Sequence, residues 1–360
     1  MKKLNVALAG CWHPHVYRYY PVLQRREDTE LTCLWDTCPE RGREWSEKLN
    51  VPFVADYDEL LKRDDVDAIC VVAETNIHKE IMIKAAKAGK HIFTEKAFTL
   101  TLVDAKEVYN EVKANQVKFG IAYIRATTPA FILGKTLMDA GLLGDVNMAR
   151  IRNACDASKI PLPPDWFDKN ITGGGAWIDL ACHQMYLMDW LFGEPEEITA
   201  SAINYYGRDV EDNVCAVVKF KNGVLGVAES SASAFHAPYM YEIYGRRGSY
   251  IFRIDSDRTE IQVEAENVEK VQALLPGVEM DVKYIYAKPD NASANTLFGD
   301  RAIITLPVNQ LPPCKEPIEL WCDDILYGVK NPFEIECGYS LTRLMEGGNR
   351  SLAEKRTIVF

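Results

Sequence analysis

The 360-residue chain lacks several features that would each point to a class of protein. Its 41 lysines and arginines are outnumbered by 52 acidic side chains, giving a net charge of −11. A basic face for nucleic acid or anionic lipid is therefore not expected. No run approaches the ~18 consecutive apolar residues that mark a membrane span. The apolar start at 4–10 breaks at His13-Pro14-His15, too early for the core of a signal peptide. The ten cysteines form no C-x-x-C pair, so neither a thiolate zinc site nor a disulfide scaffold is indicated, and reduced thiols in a cytoplasm fit best. No internal repeat or low-complexity tract is visible. At roughly 100–200 residues per domain, the length suggests two domains.

What is present changes character near residue 123. Up to 122, short β-rich runs at 4–9, 31–35, 51–54, 67–73, 91–94 and 118–122 alternate with helical patterns at 80–87 and 103–115. That alternation predicts a doubly wound parallel sheet with helices on both faces. From 123 to 360 one helical pattern, 130–140, precedes strand-like runs at 146–152, 197–206, 213–220, 224–230, 239–244, 249–254 and 259–264. Consecutive strands without crossover helices predict a mainly antiparallel open sheet in an α+β domain. Lys221-Asn222-Gly223 reads as a hairpin turn. The stretch 265–313 reads as loops with short strands, and helical patterns return at 317–330 and 341–354.

The first run leads into Gly10-Cys11-Trp12-His13-Pro14-His15, which stands where a dinucleotide-binding G-x-G-x-x-G turn would be but keeps only its first glycine. Amides at the start of the next helix could hold a pyrophosphate. His13 and His15 either touch the cofactor or merely begin that helix. Asp36 ends the second run; it either caps the helix near Pro39 or accepts hydrogen bonds from an adenosine ribose. A carboxylate there favours NAD over NADP, while Arg41 and Arg43 leave room for NADP.

Thr75-Asn76-Ile77-His78, followed by Ala88-Gly89-Lys90-His91-Ile92-Phe93-Thr94-Glu95-Lys96-Ala97, resembles the glucose-fructose oxidoreductase/inositol dehydrogenase (Gfo/Idh/MocA) family. The match continues through Ala140-Gly141-Leu142-Leu143-Gly144, Gly173-Gly174-Gly175, Asp179-Leu180-Ala181-Cys182-His183, and Tyr241-Glu242-Ile243-Tyr244-Gly245 with Gly248. The sequence departs from the pattern in Ala97, where the family has proline, in Ala181, where it has glycine, and in the depleted glycine turn. The resemblance implies an N-terminal Rossmann domain, 1–122, an α+β substrate and oligomerisation domain, 123–360, and an NAD(P)-dependent oxidation of a secondary hydroxyl of a sugar, glycoside or cyclitol. It assigns Lys96, Asp179 and His183 to catalysis, with His183 as general base, Lys96 on the reacting oxygen and Asp179 orienting the hydroxyl or the imidazole.

Gly10, Trp12, His13, Asp36, Thr75, Asn76, His78, Glu95 and Lys96 are the expected cofactor contacts. Substrate contacts are expected from Lys96, Tyr123, Arg125, Trp166, Asp179 and His183; Trp166 and Trp177 would either stack on a sugar face or fill the core. No metal is assigned, because Asp179 and His183 lack a third ligand in view. Two alternatives stand beside the dehydrogenase: an enzyme that retains its NAD and oxidises a glycoside transiently, and a cofactor-binding regulator without catalysis. A homodimer or homotetramer through the C-terminal sheet is expected. Cys11 and Cys182 fall within the two site motifs, where a blocking reagent could obstruct. His236 has no partner suggested by the sequence.

Overall fold

The computed structural model describes residues 3–234, 239–286 and 299–360. His236 and residues 287–298 of the 265–313 stretch lie outside them. Five parallel strands, β1 (Leu4–Ala9), β2 (Thr29–Trp35), β3 (Ala68–Val71), β4 (His91–Thr94) and β5 (Phe119–Ile121), form a sheet in the order β2-β1-β3-β4-β5. Helices α1 (Val16–Arg25), α2 (Pro39–Leu49), α3 (Tyr57–Leu61), α4 (His78–Lys87) and α5 (Leu102–Ala114) connect them. All four residues of β3 are buried, as expected for a strand covered on both faces, which is why its sequence reads as an unbroken apolar run.

Next come α6 (Pro129–Asp139), β6 (Val146–Ala154), α7 (Lys169–Thr172), a π-helical turn at Trp177–Ala181, and α8 (Cys182–Phe192). Strands β7 (Pro195–Ile203), β8 (Asn213–Phe220), β9 (Leu225–Ser231), β10 (Met240–Gly245), β11 (Gly248–Arg253) and β12 (Arg258–Glu264) follow. The chain ends with α9 (Val268–Leu274), β13 (Asp281–Ile285), β14 (Arg301–Pro307), α10 (Pro317–Tyr327), α11 (Ile335–Glu354) and β15 (Ile358–Val359). The ten strands from β6 onward make one sheet in the order β13-β14-β12-β11-β10-β6-β9-β8-β7-β15. Every neighbouring pair is antiparallel except β6 and β9. The hairpin at Lys221-Asn222-Gly223 joins β8 to β9, and Gly223 has φ +89°. In β8, Val214, Ala216, Val218 and Phe220 point into the core while Cys215 and Val217 face outward.

Three expectations need correction. The run at 51–54 makes only an isolated bridge, Leu34 to Phe53; Pro52 lacks the N–H a ladder needs. The 265–313 stretch holds the expected short strands, β13 and β14, with Ala302, Ile304 and Leu306 of β14 fully buried, but it also contains the helix α9, which the reading as loops missed. The last helix begins at Ile335 rather than 341. In addition, α10 returns to the first sheet, with Trp321 against the Phe93 ring at 5.6 Å and over Gly120, where a Cβ would meet it at 2.9 Å. Among the described residues no helix is long and apolar enough to cross a membrane.

Candidate functional site

The site forms where the carboxyl ends of β1, β3 and β4 meet the segment that follows β6, the edge at which open α/β sheets bind ligands. Gly10 ends β1 with φ +85°, and a Cβ there would stand 2.4 Å from the Ala73 Cα. Only glycine suits this turn. Asp36, 2% exposed, accepts the Cys11 amide at 2.7 Å and the Cys38 amide at 2.8 Å, so it ties the turn to the start of α2. Arg41 also pairs with Asp36 at 2.6 Å and with Glu74 at 2.6 Å. A cavity of about 550 Å³ lies beside the turn, lined in part by Trp12, His13, Tyr17, Arg41 and Trp45. Its volume and the cradle at Gly10 fit a dinucleotide.

Thr75 is buried and Asn76 exposed in a 3₁₀ turn at Thr75–Ile77. His78 points away from the cleft: it is 1% exposed, and its ring nitrogens lie against the carbonyls of Ala73, Ala97 and Phe98. The structure therefore places it as a brace for the Lys96 loop rather than as a cofactor contact.

Glu95 and Lys96 leave β4 in opposite directions. The Glu95 carboxylate is fully buried, with His15 Nδ1 at 2.8 Å, the Lys96 amide donating at 3.0 Å and the Tyr19 hydroxyl donating as well. Burial opposes its charge, but the flanking His15 and His13 outweigh it and hold Glu95 well below the usual carboxylate range. Lys96, 3% exposed, donates from Nζ to the Asp179 carbonyl at 2.9 Å and to Asp179 Oδ1 at 2.6 Å. Burial opposes this charge too, yet Asp179 outweighs it and keeps the ammonium protonated. The Lys96–Ala97 peptide is cis.

Asp179 sits in the π-helical turn and His183 in the first turn of α8. His183 does not bond to Asp179. Its Nδ1 lies 2.9 Å from the Tyr186 hydroxyl, which also accepts the Arg125 amide at 3.0 Å. Burial, then the charges of Lys96 and Arg125, push the His183 imidazole well below its ordinary pKa, so it is neutral near pH 7. Tyr123 stacks on Tyr186 at 4.1 Å, and the Arg125 guanidinium lies over the Tyr239 ring at 4.7 Å. The cavity at Lys96 is lined by Trp12, His13, Thr75, Asp179 and Trp166 among others, and holds only about 20 Å³. Trp166 stacks on Trp12 at 4.7 Å, and the Trp12 indole donates to Asp165 at 2.8 Å. Trp177 belongs to the core, with its indole on the Met345 carbonyl at 3.0 Å.

Some partners were not legible in advance. Tyr186 was hidden as one aromatic in a helix. Glu211, from the loop before β8, accepts the Gly175 amide at 2.9 Å and the Trp177 amide at 2.8 Å, and so anchors the turn carrying Asp179. The triple glycine is what admits it, because a Cβ on Gly175 would lie 2.0 Å from the Glu211 carbonyl oxygen. Gly175→Ala is expected to cost about 1–3 kcal/mol or more by overpacking, read as a lower urea midpoint; an unchanged midpoint would contradict this packing. Cys11 and Cys182 are buried, and burial raises both thiols, Cys182 to about 12. Neither offers a thiolate to a blocking reagent near neutral pH.

Comparison with known proteins identifies the family and the fold that carry these residues. The model described as the oxidoreductase family, NAD-binding Rossmann fold, matches residues 4–123, and the GFO/IDH/MocA C-terminal domain model matches 132–251. Myo-inositol 2-dehydrogenase of Thermotoga maritima is 28% identical over 274 residues, 73% of this chain and 76% of that one. Levoglucosan dehydrogenase of Pseudarthrobacter phenanthrenivorans is 29% identical over 238 residues, 58% of this chain and 60% of the relative. A solved levoglucosan dehydrogenase in complex with NADH superposes with a TM-score of 0.78 at 23% identity, covering 99% of each chain. With both halves matched in order, the chain belongs to the Gfo/Idh/MocA family of oxidoreductases, and its N-terminal part is an NAD-binding Rossmann domain.

Proposed function

We propose that this protein oxidises a secondary hydroxyl of a sugar, glycoside or cyclitol, with a domain boundary near Tyr123 and the reacting groups supplied from both sides of it. The observation that carries this reading is the ion pair between the buried Lys96 at the end of β4 and the half-buried Asp179, with the buried, neutral His183 on the same segment as Asp179. The named activities of the inositol and levoglucosan dehydrogenases support the substrate class.

Bound NAD supplies the hydride acceptor; the chain supplies position and proton transfer. Lys96 spends two donor positions on Asp179 and has a third N–H for the substrate oxygen, where its positive charge stabilises a developing alkoxide. Asp179 thus fixes the lysine, leaving its second carboxylate oxygen for a neighbouring hydroxyl. For His183 to take a proton at Nε2, its ring proton must sit on Nδ1 and point at the Tyr186 oxygen. Because its pKa is held down, kcat/KM is expected to persist through mildly acidic pH and to fall only well below 6.5; an acid limb at or above 6.5 would exclude His183 as the base.

The cavity at Lys96, walled in part by Trp12 and Trp166, has room for about one water, less than a sugar ring needs. The contacts of Trp12 with Asp165 and Trp166 across the nucleotide turn also favour the second reading, in which NAD is retained between turnovers. A substrate panel followed at the NADH absorbance, with mass spectrometry of any co-purified nucleotide, tests both. Stoichiometric NADH release supports the dehydrogenase, turnover without net NADH supports the retained cofactor, and no turnover with any polyol or glycoside refutes the substrate class.

We further propose a homodimer or homotetramer through the outer face of the ten-stranded sheet. Met148, Val217 and Leu225 are exposed there, beside the Arg150–Glu229–Arg152 pairs, and a symmetric partner would cover them. Light scattering is expected to give a multiple of the chain mass, and Val217→Lys with Leu225→Lys to lower it. A monomeric wild type would rule this out. All ten cysteines are unpaired, which fits the cytoplasm as the working compartment.

A further inference from the structure

We propose that His13, His15 and Glu95 form a binding site for a borderline divalent cation of the zinc type, set beneath the nucleotide turn. This goes beyond the hydride-transfer reading and does not rest on it. Among the described residues, these three offer ligand atoms that all lie within 4.8 Å of one another. His15 Nδ1 is 2.8 Å and His13 Nε2 is 4.0 Å from the Glu95 carboxylate oxygens. Tetrahedral zinc with bonds near 2.0 Å sets its ligands ~3.3 Å apart. Shifts of about 1 Å would therefore suffice to close the three around one ion.

A second observation points to a ligand. His13 is 5% exposed, and its Nε2, aimed at the Glu95 carboxylate, has no hydrogen-bond partner. An orphaned buried nitrogen costs stability unless something meets it. The rest of the cluster is already furnished as an outer shell, since the Tyr19 hydroxyl and the Lys96 amide both donate to the carboxylate and fix its orientation. Two imidazoles and one carboxylate suit zinc, cobalt or iron(II) better than magnesium or calcium. His13 also lines the cavity at Lys96 and Asp179, so a fourth coordination position would open toward that cavity. The His15 side chain is 27% exposed and marks the entry path.

Coordination asks for a defined rearrangement. His13 Nδ1 now accepts the His15 amide at 3.1 Å, which places the ring proton on Nε2. Binding through Nε2 moves that proton to Nδ1 and opens the amide bond. His15 likewise moves its proton from Nδ1 to its solvent side, and no net proton is released. The freed His15 amide lies at the start of α1, where an anion can use it.

The test is metal analysis of the full chain purified without chelator, followed by titration of the chelator-treated protein with Zn²⁺ and Co²⁺. One zinc per chain and a visible d–d band of low-symmetry Co²⁺ are expected. His15→Ala and Glu95→Gln are expected to weaken Zn²⁺ by at least about tenfold while circular dichroism stays that of the wild type. The two variants are independent, so misfolding of one leaves the other to decide. Substoichiometric metal with no Co²⁺ band in the wild type would leave a purely hydrogen-bonded cluster and overturn the site. Equal Zn²⁺ affinity in both variants would overturn the ligand assignment. Neither readout depends on NAD or on turnover, so a failure here is distinct from a failure of the proposed reaction.

Discussion

Lys96→Met is expected to lower kcat by about 10²–10³ on any alcohol the wild type oxidises, the range seen when a preorganised donor to a developing oxyanion is removed. Its thermal midpoint should stay unchanged or rise. The reason lies in the asymmetry of the pair: Lys96 is buried, whereas the Asp179 side chain is 31% exposed. Removing the lysine takes a charge out of the interior and leaves its partner in reach of water. A merely structural ion pair would lose stability and keep activity; a catalytic one does the reverse. His183→Ala should lose about 10²–10⁴ in kcat, the usual worth of a general base, and the double variant should lose much less than the product of the two, because the groups act on one oxygen. Lys96→Arg should not rescue, since a planar guanidinium cannot occupy the compact position that bonds both the Asp179 carbonyl and its carboxylate. Full turnover in either single variant would remove these residues from the reaction.

Much of this arrangement was legible because it is local. Alternating β and helical runs gave the parallel sheet, Asn222-Gly223 gave a hairpin, and the Glu95-Lys96 and Asp179 to His183 segments marked the cleft. What stayed hidden depends on distant pairing. Glu211 reaches Gly175 across 36 residues, and nothing about a lone glutamate before a strand announces which amide it will meet. The π-helical turn that places Asp179 is set by Gly175 and by Trp177 packed against Gly348, where a Cβ would lie 1.9 Å from the indole. A spacing of four read as one face of an ordinary helix therefore describes two different turns. Strand β14 was legible only as one of the short strands of 265–313, without its bounds, because its neighbours in sequence are turn-rich, although its buried Ala302, Ile304 and Leu306 alternate as a half-covered strand should. His78 misled for the opposite reason: its motif position points to the cofactor, but its ring turns inward to carbonyls.

Acid should destabilise the fold between pH 6.5 and 5, well before most carboxylates titrate. His183 and His78 are both fully buried, and burial holds each below its ordinary pKa. Unfolded, each binds a proton near pH ~6.5; folded, each resists until a lower pH. The unfolded chain therefore holds more protons in this window, and stability falls as the pH drops, by up to about 1.4 kcal/mol per pH unit for each group. One buried carboxyl works the other way. Asp189, bonded to Ser340 at 2.7 Å, is raised to about 6 by burial, so the folded chain takes up its proton first and gains stability as the pH falls from 6 toward 4. Burial also holds His13 well below its ordinary value and lowers His91, so four imidazoles oppose one carboxyl and the net slope below pH 6 is a loss of stability with acid larger than one group's ~1.4 kcal/mol per pH unit. Above pH 6 the carboxyl contributes less and the imidazoles have only begun to titrate, so the curve should bend in the 6–6.5 region. Urea midpoints at pH 7, 6 and 5 measure this directly. His183→Asn should flatten the slope by one group's share while leaving the Asp189 contribution intact, and Asp189→Asn should steepen it. A midpoint constant from pH 7 to 5 would mean that these imidazoles titrate freely in the folded chain, and the neutral base that the proposed proton transfer requires would lose its physical basis.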